Sequence, residues 1–415
     1  MTALNNLLFS IFFLITLIFI IQKLLLFLKI KFNEINTVFG LIILITIFSN
    51  INQLILYLDH TFFFNNKKNL QIIIKIIIIS IFFYYFYKFL NKKRIFKKFK
   101  SIDKSIVNIY LIILIICSFS IPIEGDSLIY HLKLPKLIIE GYRVNQFIDN
   151  IHIILIGNFE LFNIFPMLID INNANSLINV LFLVLLVNYI KKQNYINNNN
   201  FFLLLILSSP ILIGLILTQK PFLIPLITQI FFCEVNFKKK FNNNKETIIS
   251  FIALFASMGI KLNFIISGGL IMVIYFFYYY KNILNFNFFN KIFSSFLFIL
   301  LPIFIFRYVT FNDPLAPFLN FLPNEIYTKN ILINFSESLK NWNKNEFFFP
   351  LNIFLSKDII NMNNTIGLGL IIILFQKNII HNNKIFLISM ILFLSNIIFV
   401  QQTARFFLLP FLLLL

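Results

Sequence analysis

The sequence predicts an all-α, polytopic transmembrane helical bundle of about 12–13 spans, with amphipathic interfacial helices in its first long outer loop. Three observations carry this. The chain is 59% hydrophobic and 12% charged over 415 residues, whereas soluble chains run about 45–50% apolar and about 25% charged. Its apolar residues form continuous runs, not the alternation a membrane barrel needs. Its basic residues gather between those runs, where the positive-inside rule puts them.

Taken in order, the runs place spans at 7–28, 37–57, 70–90, 106–123, 175–190, 201–217, 220–235, 247–260, 263–280, 292–306, 364–376, 384–400 and 406 onward. The first run lacks a basic leader and a small-residue cleavage site, so it reads as a retained helix. The run 247–280 is too long for one straight crossing, and Gly259-Ile260-Lys261 breaks its pattern, so it reads as two. That split also gives the charge parity. The segment 91–104 holds seven basic residues and one acid, and 236–246 holds four lysines. These turns, with those around Lys281 and Lys377, fall on one side, which becomes the cytoplasm. Two long outer segments, 124–174 and 307–363, carry eleven of the sixteen acids.

Four regions follow: 1–105, extra N-terminal helices and a basic loop; 106–306, a core including the loop 124–174; 307–363, a second outer loop; and 364–415, C-terminal helices. The chain ends "ARFFLLPFLLLL", about half a crossing into an apolar run, which reads as a truncated chain.

The net charge of +19 does not point to nucleic acid. A Lys-, Asn-, Ile- and Phe-rich composition is the bias of an AT-rich genome, and the cations sit beside spans. Cys117 and Cys233 offer no disulfide framework and no metal spacing, and the four histidines are scattered.

Polar chemistry is concentrated in "IPIEGDSLIYHLKLPKLIIEGYR", 121–143. Glu124 and Asp126 stand at the end of a crossing, where desolvation can raise a carboxylate pKa. Ser127 can cap a short helix. Pro135 is expected to interrupt regular helix. The mixture of Leu and Ile with lysines reads as an element lying on the bilayer, its aliphatics against acyl chains. Lys261 is the strongest outlier, because an ionisable group inside an apolar stretch costs a few kcal/mol unless paired or hydrated; the alternative is snorkelling to the interface. Arg405 stands before a crossing and can grip phosphate bidentately. Arg307 reads as a membrane-edge anchor.

"GDSLIYHLKLPKLIIEG" resembles the first external loop of GT-C superfamily membrane glycosyltransferases. Four more pieces are similar to that family's elements, in order: "NFELFNIFPMLIDINNANSLIN" (158–179), "GIKLNFIISGGLI" (259–271), "FRYVTFNDPLAPFLN" (306–320), where Asn312, Pro314, Pro317 and Phe318 match, and "QTARFFLLP" (402–410). The resemblance covers about 106–415 and leaves the first three spans outside. It implies an inverting transfer of a sugar from a polyprenyl-phosphate donor to a lipid, glycan or protein acceptor. The active site would face the periplasm from the bacterial inner membrane.

That reaction needs a base near the acceptor hydroxyl and cations near the leaving phosphate. The resemblance puts Asp126 forward as base and Glu160 as a second acid. Lys261, Arg405 and Lys220 become phosphate ligands. Tyr130 and His131 match the family's Tyr-His pair and either contact acceptor or carrier phosphate or anchor the interface. The loop "LTQKPF" (217–222) lacks the acid many relatives carry, which speaks against a metal-dependent mechanism; no cofactor is expected. The rival reading is a transporter or flippase of lipid-linked glycans.

Overall fold

The computed structural model describes residues 2–90, 106–120, 128, 131–144, 151–192, 199–238, 244–283, 286–315, 330–331, 333–335, 337, 351–355, 365–367, 383–399 and 404–414. Among these residues the regular elements are helical and no strand occurs. In chain order they are α1 (Thr2–Phe27), α2 (Glu34–Leu58), α3 (Phe62–Asn65), α4 (Lys67–Leu90), α5 (Ile106–Cys117), α6 (Lys133–Ile139), α7 (Asn158–Phe162), α8 (Ile164–Leu168), α9 (Ala174–Lys192) and α10 (Asn199–Leu207). They continue with α11 (Pro210–Leu217), α12 (Leu223–Cys233), α13 (Asn244–Ile260) and α14 (Phe264–Ile283). The last are α15 (Phe286–Phe311), α16 (Leu351–Phe354), α17 (Asn383–Phe399) and α18 (Ala404–Leu413).

Four helical stretches among the described residues are long and apolar enough to cross a membrane: Leu8–Phe27, Glu34–Leu58, Ala174–Lys192 and Phe286–Phe311. Shorter apolar helices, such as Ile106–Cys117 and Phe264–Tyr279, accompany them. Several apolar helices of this kind point to a membrane protein.

α2 is the hub, with α1, α7, α9, α12, α13 and α15 all packed against it. Its start is well specified. The Asn33 side chain accepts the Asn36 N–H at 2.8 Å, and Glu34 occupies the first turn, where the helix dipole favours a carboxylate. Although the sequence groups α2 with the extra N-terminal helices, it lies in the centre because its buried face carries Thr46, Ser49, Asn52 and Gln53. Those side chains have partners only inside the protein.

The helices run up and down, so their termini collect at two ends. At one end Lys192 of α9 pairs with Glu34 of α2. Lys191 Nζ reaches Asn108 Oδ1 of α5 at 2.6 Å. The Tyr189 hydroxyl donates to Glu234 Oε2 at 2.8 Å, just past α12. Lys384 of α17 donates to the Tyr279 hydroxyl near the end of α14 at 3.2 Å. At the opposite end lie the 153–162 segment, the 217–222 turn, the α13–α14 turn and the end of α15. The described parts of the loops expected on a common side therefore do share an end. The basic loop 91–104 lies outside the described residues.

Four local expectations change. The run 201–217 is two helices. Pro210 has no N–H and disfavours α conformation at Ser209, which is extended at ψ 122 and donates its hydroxyl to Ile366 O at 2.6 Å. Pro135 does not interrupt α6. It sits in the first turn, where the missing N–H had no intrahelical partner anyway. The aliphatics of α6 do not face acyl chains: Leu134, Ile138 and Ile139 are buried against protein, α8 among it. Of the expected span 364–376, residues 365–367 are non-helical and the rest lies outside the described residues. The run 247–280 is two helices, broken at Lys261.

Candidate functional site

The site begins at a close contact. Gly157 precedes α7, and a Cβ there would lie 2.3 Å from Ile260 O at the end of α13. Only glycine permits that approach, which sets the 157–160 turn against the α13–α14 turn. Glu160, on the first turn of α7, is buried, and its Oε2 accepts the Gly157 N–H at 2.8 Å. Its other oxygen, Oε1, accepts from His131 Nδ1 at 2.7 Å, with His131 only 1% exposed. Asn158 fixes the same turn to α2. Its Oδ1 accepts from Gln53 Nε2 at 2.8 Å and from the Ser49 hydroxyl at 3.1 Å. Asn52 Nδ2 adds a bond to Leu161 O at 2.7 Å.

Burial pushes the His131 imidazole below its ordinary pKa; the Glu160 carboxylate pulls it up, and the charges of Lys261 and Lys220 push it down. The two lysines, from separate turns, thus act on one imidazole. A carboxylate on Nδ1 also fixes the ring's orientation and tautomer.

Lys261 is the first residue past α13, its carbonyl accepting the Phe264 N–H at 2.9 Å. Its Nζ lies 5.7 Å from the centroid of Phe222, within cation–π range. Phe222 touches Phe264 with centroids 4.9 Å apart and Phe406 at 5.6 Å. The Arg405 guanidinium stacks near Phe406 at 5.2 Å. Lys261, Phe222, Phe406 and Arg405 form one chain of contacts, with Lys220 two residues before Phe222.

The 217–222 turn is held from α9. Asn175 Nδ2 donates to Gln219 O at 2.6 Å, and Asn179 Nδ2 donates to Lys220 O at 2.8 Å. The Gln219 side chain turns inward, its Nε2 donating to the Ser176 hydroxyl at 2.6 Å and its Oε1 accepting the Asn175 N–H at 3.2 Å. At this turn the chain has an amide that braces it.

Arg307 is not a membrane-edge anchor. It is fully buried, because carbonyls surround its guanidinium: Nη1 donates to Ile154 O at 2.6 Å and Ile156 O at 3.0 Å, and Nε donates to Pro314 O at 2.7 Å. Asn312 caps α15 in the left-handed region at φ 56, a conformation Asn tolerates, and Asp313 Oδ1 accepts the Leu315 N–H at 3.0 Å. These bonds give Asn312 and Pro314 structural roles at the end of α15.

Asp126 and Tyr130, with Glu124, Pro317 and Phe318, lie outside the described residues. Of the remaining candidates, the structure brings together Glu160, His131, Lys261 and Lys220, and links Arg405 through two rings. Arg307 and the amide braces were missed. A findable signal existed: Ser49 and Gln53 on α2, and Asn175 and Asn179 on α9, repeat at i, i+4 in apolar runs.

Comparison with protein-family models, with curated proteins and with solved structures finds no match.

Proposed function

We propose that this protein is an integral membrane glycosyltransferase. It moves a sugar from a polyprenyl-phosphate donor to a lipid, glycan or protein acceptor, at the periplasmic face of the bacterial inner membrane. The observation that carries the reading is that Lys261 lies over Phe222, Arg405 lies over the adjoining Phe406, and Lys220 acts with Lys261 on His131, all at one end of the bundle. Three cations from three elements suit a leaving phosphate, whose growing charge needs preorganised positive groups. A transporter or flippase would instead place its ionic groups near mid-span.

In this reading Asp126 takes the proton of the acceptor hydroxyl. Its oxygen attacks the anomeric carbon as the bond to the carrier phosphate breaks, and configuration inverts. Glu160 is committed at both oxygens, so it acts by holding His131 and not as the base. The resemblance of the loop motifs and the basic turns between spans support a reading with this chemistry outside and the basic turns in the cytoplasm.

The test uses membranes containing the protein and labelled polyprenyl-phosphate sugars. Transfer is expected. Lys261→Ala should weaken donor binding while the protein remains inserted, and Lys261→Arg should keep part of the activity, because charge survives though shape changes. Asp126→Asn should bind donor yet lose transfer by at least roughly 10²-fold. No transfer by the parent from any polyprenyl-phosphate sugar, or parental donor binding by Lys261→Ala, would remove the basis of this reading.

A further inference from the structure

α15 is not one regular helix. Its first section, Phe286–Ser295, and its last, Leu301–Phe311, are α-helical, and Phe296–Leu300 between them is a π turn. There the Leu301 N–H bonds to Phe296 O, five residues back where an α-helix bonds four back. Pro302 follows at once. It has no N–H, so the helical bond it would make to Phe298 O is lost. Just ahead of the π turn, the Ser294 and Ser295 hydroxyls donate to Lys291 O at 3.0 and 2.6 Å. Hydroxyls that bond back to a helix carbonyl in this way slightly destabilise and bend the helix. Three local causes of helix bending thus share the stretch 294–302.

The two sections are held differently. The last is pinned by the Arg307 bonds to Ile154 O, Ile156 O and Pro314 O, and it packs on α2. The first packs on α13 and α14, and only Ile292 and Ser295 of it are buried. Phe286, Phe289 and Phe293 are exposed.

A bond from α2 reaches the joint. Asn50 Nδ2 donates to Phe298 O at 3.1 Å, the oxygen that Pro302 deprives of its helical donor. Asn50 Oδ1 is buried and makes no hydrogen bond among the described residues. The amide therefore grips α15 through one bond. Asn50 and Pro302 also line one end of a groove of about 680 Å³ between α2 and the last section of α15.

We propose that α15 is hinged at 296–302 and that Asn50 is the latch of this hinge. Its release swings the first section away from α2 and lengthens the groove toward the Lys192 end. A π turn followed by proline leaves the joint short of internal bonds, so the joint is where α15 bends most readily. The pinned last section decides which side moves. One hydrogen bond across a hinge shifts the ratio of two states by about 2- to 10-fold. That biases the joint without locking it. The device stands apart from the sugar-transfer proposal and does not depend on it.

The experiment measures spin-label distances in the full chain, reconstituted in lipid nanodiscs on a Cys117→Ala, Cys233→Ala background. One label pair, Leu26→Cys with Phe289→Cys, joins α1 to the first section. A second pair, Leu8→Cys with Tyr308→Cys, joins α1 to the last. All these positions are exposed. The parent should show two distances for the first pair and one for the second. Asn50→Leu should raise the ratio of long to short distance in the first pair by about 2- to 10-fold and leave the second pair unchanged. Pro302→Ala returns a helical donor to Phe298 O, so it should leave one distance in the first pair. Asn50→Leu added to Pro302→Ala should then change nothing. A single first-pair distance in the parent that Asn50→Leu does not alter would overturn the hinge. An equal shift of both pairs would overturn it too, because α15 would then move as one body. An Asn50→Leu effect that persists beside Pro302→Ala would overturn the latch.

Discussion

At the Lys192 end of the bundle, charges meet opposite charges near the surface. Lys192 pairs with Glu34, Lys238 lies 2.5 Å from Glu234, and the lysines of these pairs are partly or largely exposed. At the Lys261 end, cations meet backbone carbonyls, an imidazole and aromatic rings. Arg307 has three carbonyls, and Lys261 has Phe222. The first arrangement holds helix ends together and leaves little chemistry unused. The second sets its described cations against carbonyls and rings, the arrangement on which the proposed phosphate site rests. Among the described residues, Glu160 pairs with His131, which is itself pushed toward neutrality by burial, and the carboxylates of Asp313 and Glu160 act on the Arg307 guanidinium.

The largest expected effect is at Arg307. Arg307→Ala leaves the carbonyls of Ile154, Ile156 and Pro314 without their donor in a buried site. Each such loss costs about 1–3 kcal/mol, partly offset because the guanidinium no longer has to be desolvated. The variant should be destabilised by at least about 3 kcal/mol, read from thermal unfolding in detergent. An unfolding temperature within error of the parent would mean that the carbonyls are satisfied another way, and that this end is no more buried in its bonding than the other.

Much of the helix order was legible in the sequence, because apolar runs and basic turns obey simple rules. The break at Lys261 is an example: one Gly-Ile-Lys in an apolar stretch sufficed. The centrality of α2 was not legible, since its value lies in what Ser49, Asn52 and Gln53 touch: Asn158 and Leu161, over a hundred residues away in sequence. Arg307 was misread for the same reason. An Arg near the end of an apolar run looks like an anchor until the carbonyls of Ile154 and Ile156 are seen to fold over it. At the candidate site, the residue types were legible but their partners were not. His131 and Glu160 come from different motifs, and nothing local says they pair.

A middle-sized effect concerns pH. Burial lowers the folded-state pKa of His131, so the unfolded chain binds a proton below about 6.5 that the folded chain resists. Stability should therefore fall as pH drops below that value, by up to about 1.4 kcal/mol per pH unit from this group. His131→Gln keeps a donor toward Glu160 and removes the titration, so its unfolding temperature should depend less steeply on pH between about 5 and 7. If parent and variant show the same slope, the imidazole is not protected from protons, and the contrast between the ends weakens.

The smallest effect is at the opposite end, and it sharpens the comparison most cleanly. Lys192→Gln removes the cation facing Glu34, but the Lys192 side chain is 67% exposed. An exposed pair gains modest Coulomb energy, loses side-chain freedom and is screened by salt, so it contributes about 0–1 kcal/mol. Glu34 keeps a favourable place in the first turn of α2 without its partner, because the helix dipole still stabilises a carboxylate there. Lys192→Gln should thus cost at most about 1 kcal/mol at low salt, and less as salt is added. Measured beside Arg307→Ala, it asks whether the two ends differ in energy as they do in geometry. A loss for Lys192→Gln as large as that for Arg307→Ala, and insensitive to salt, would mean that the Lys192 end is as dry as the other. The distinction between a structural end and the proposed substrate-binding end would then fail.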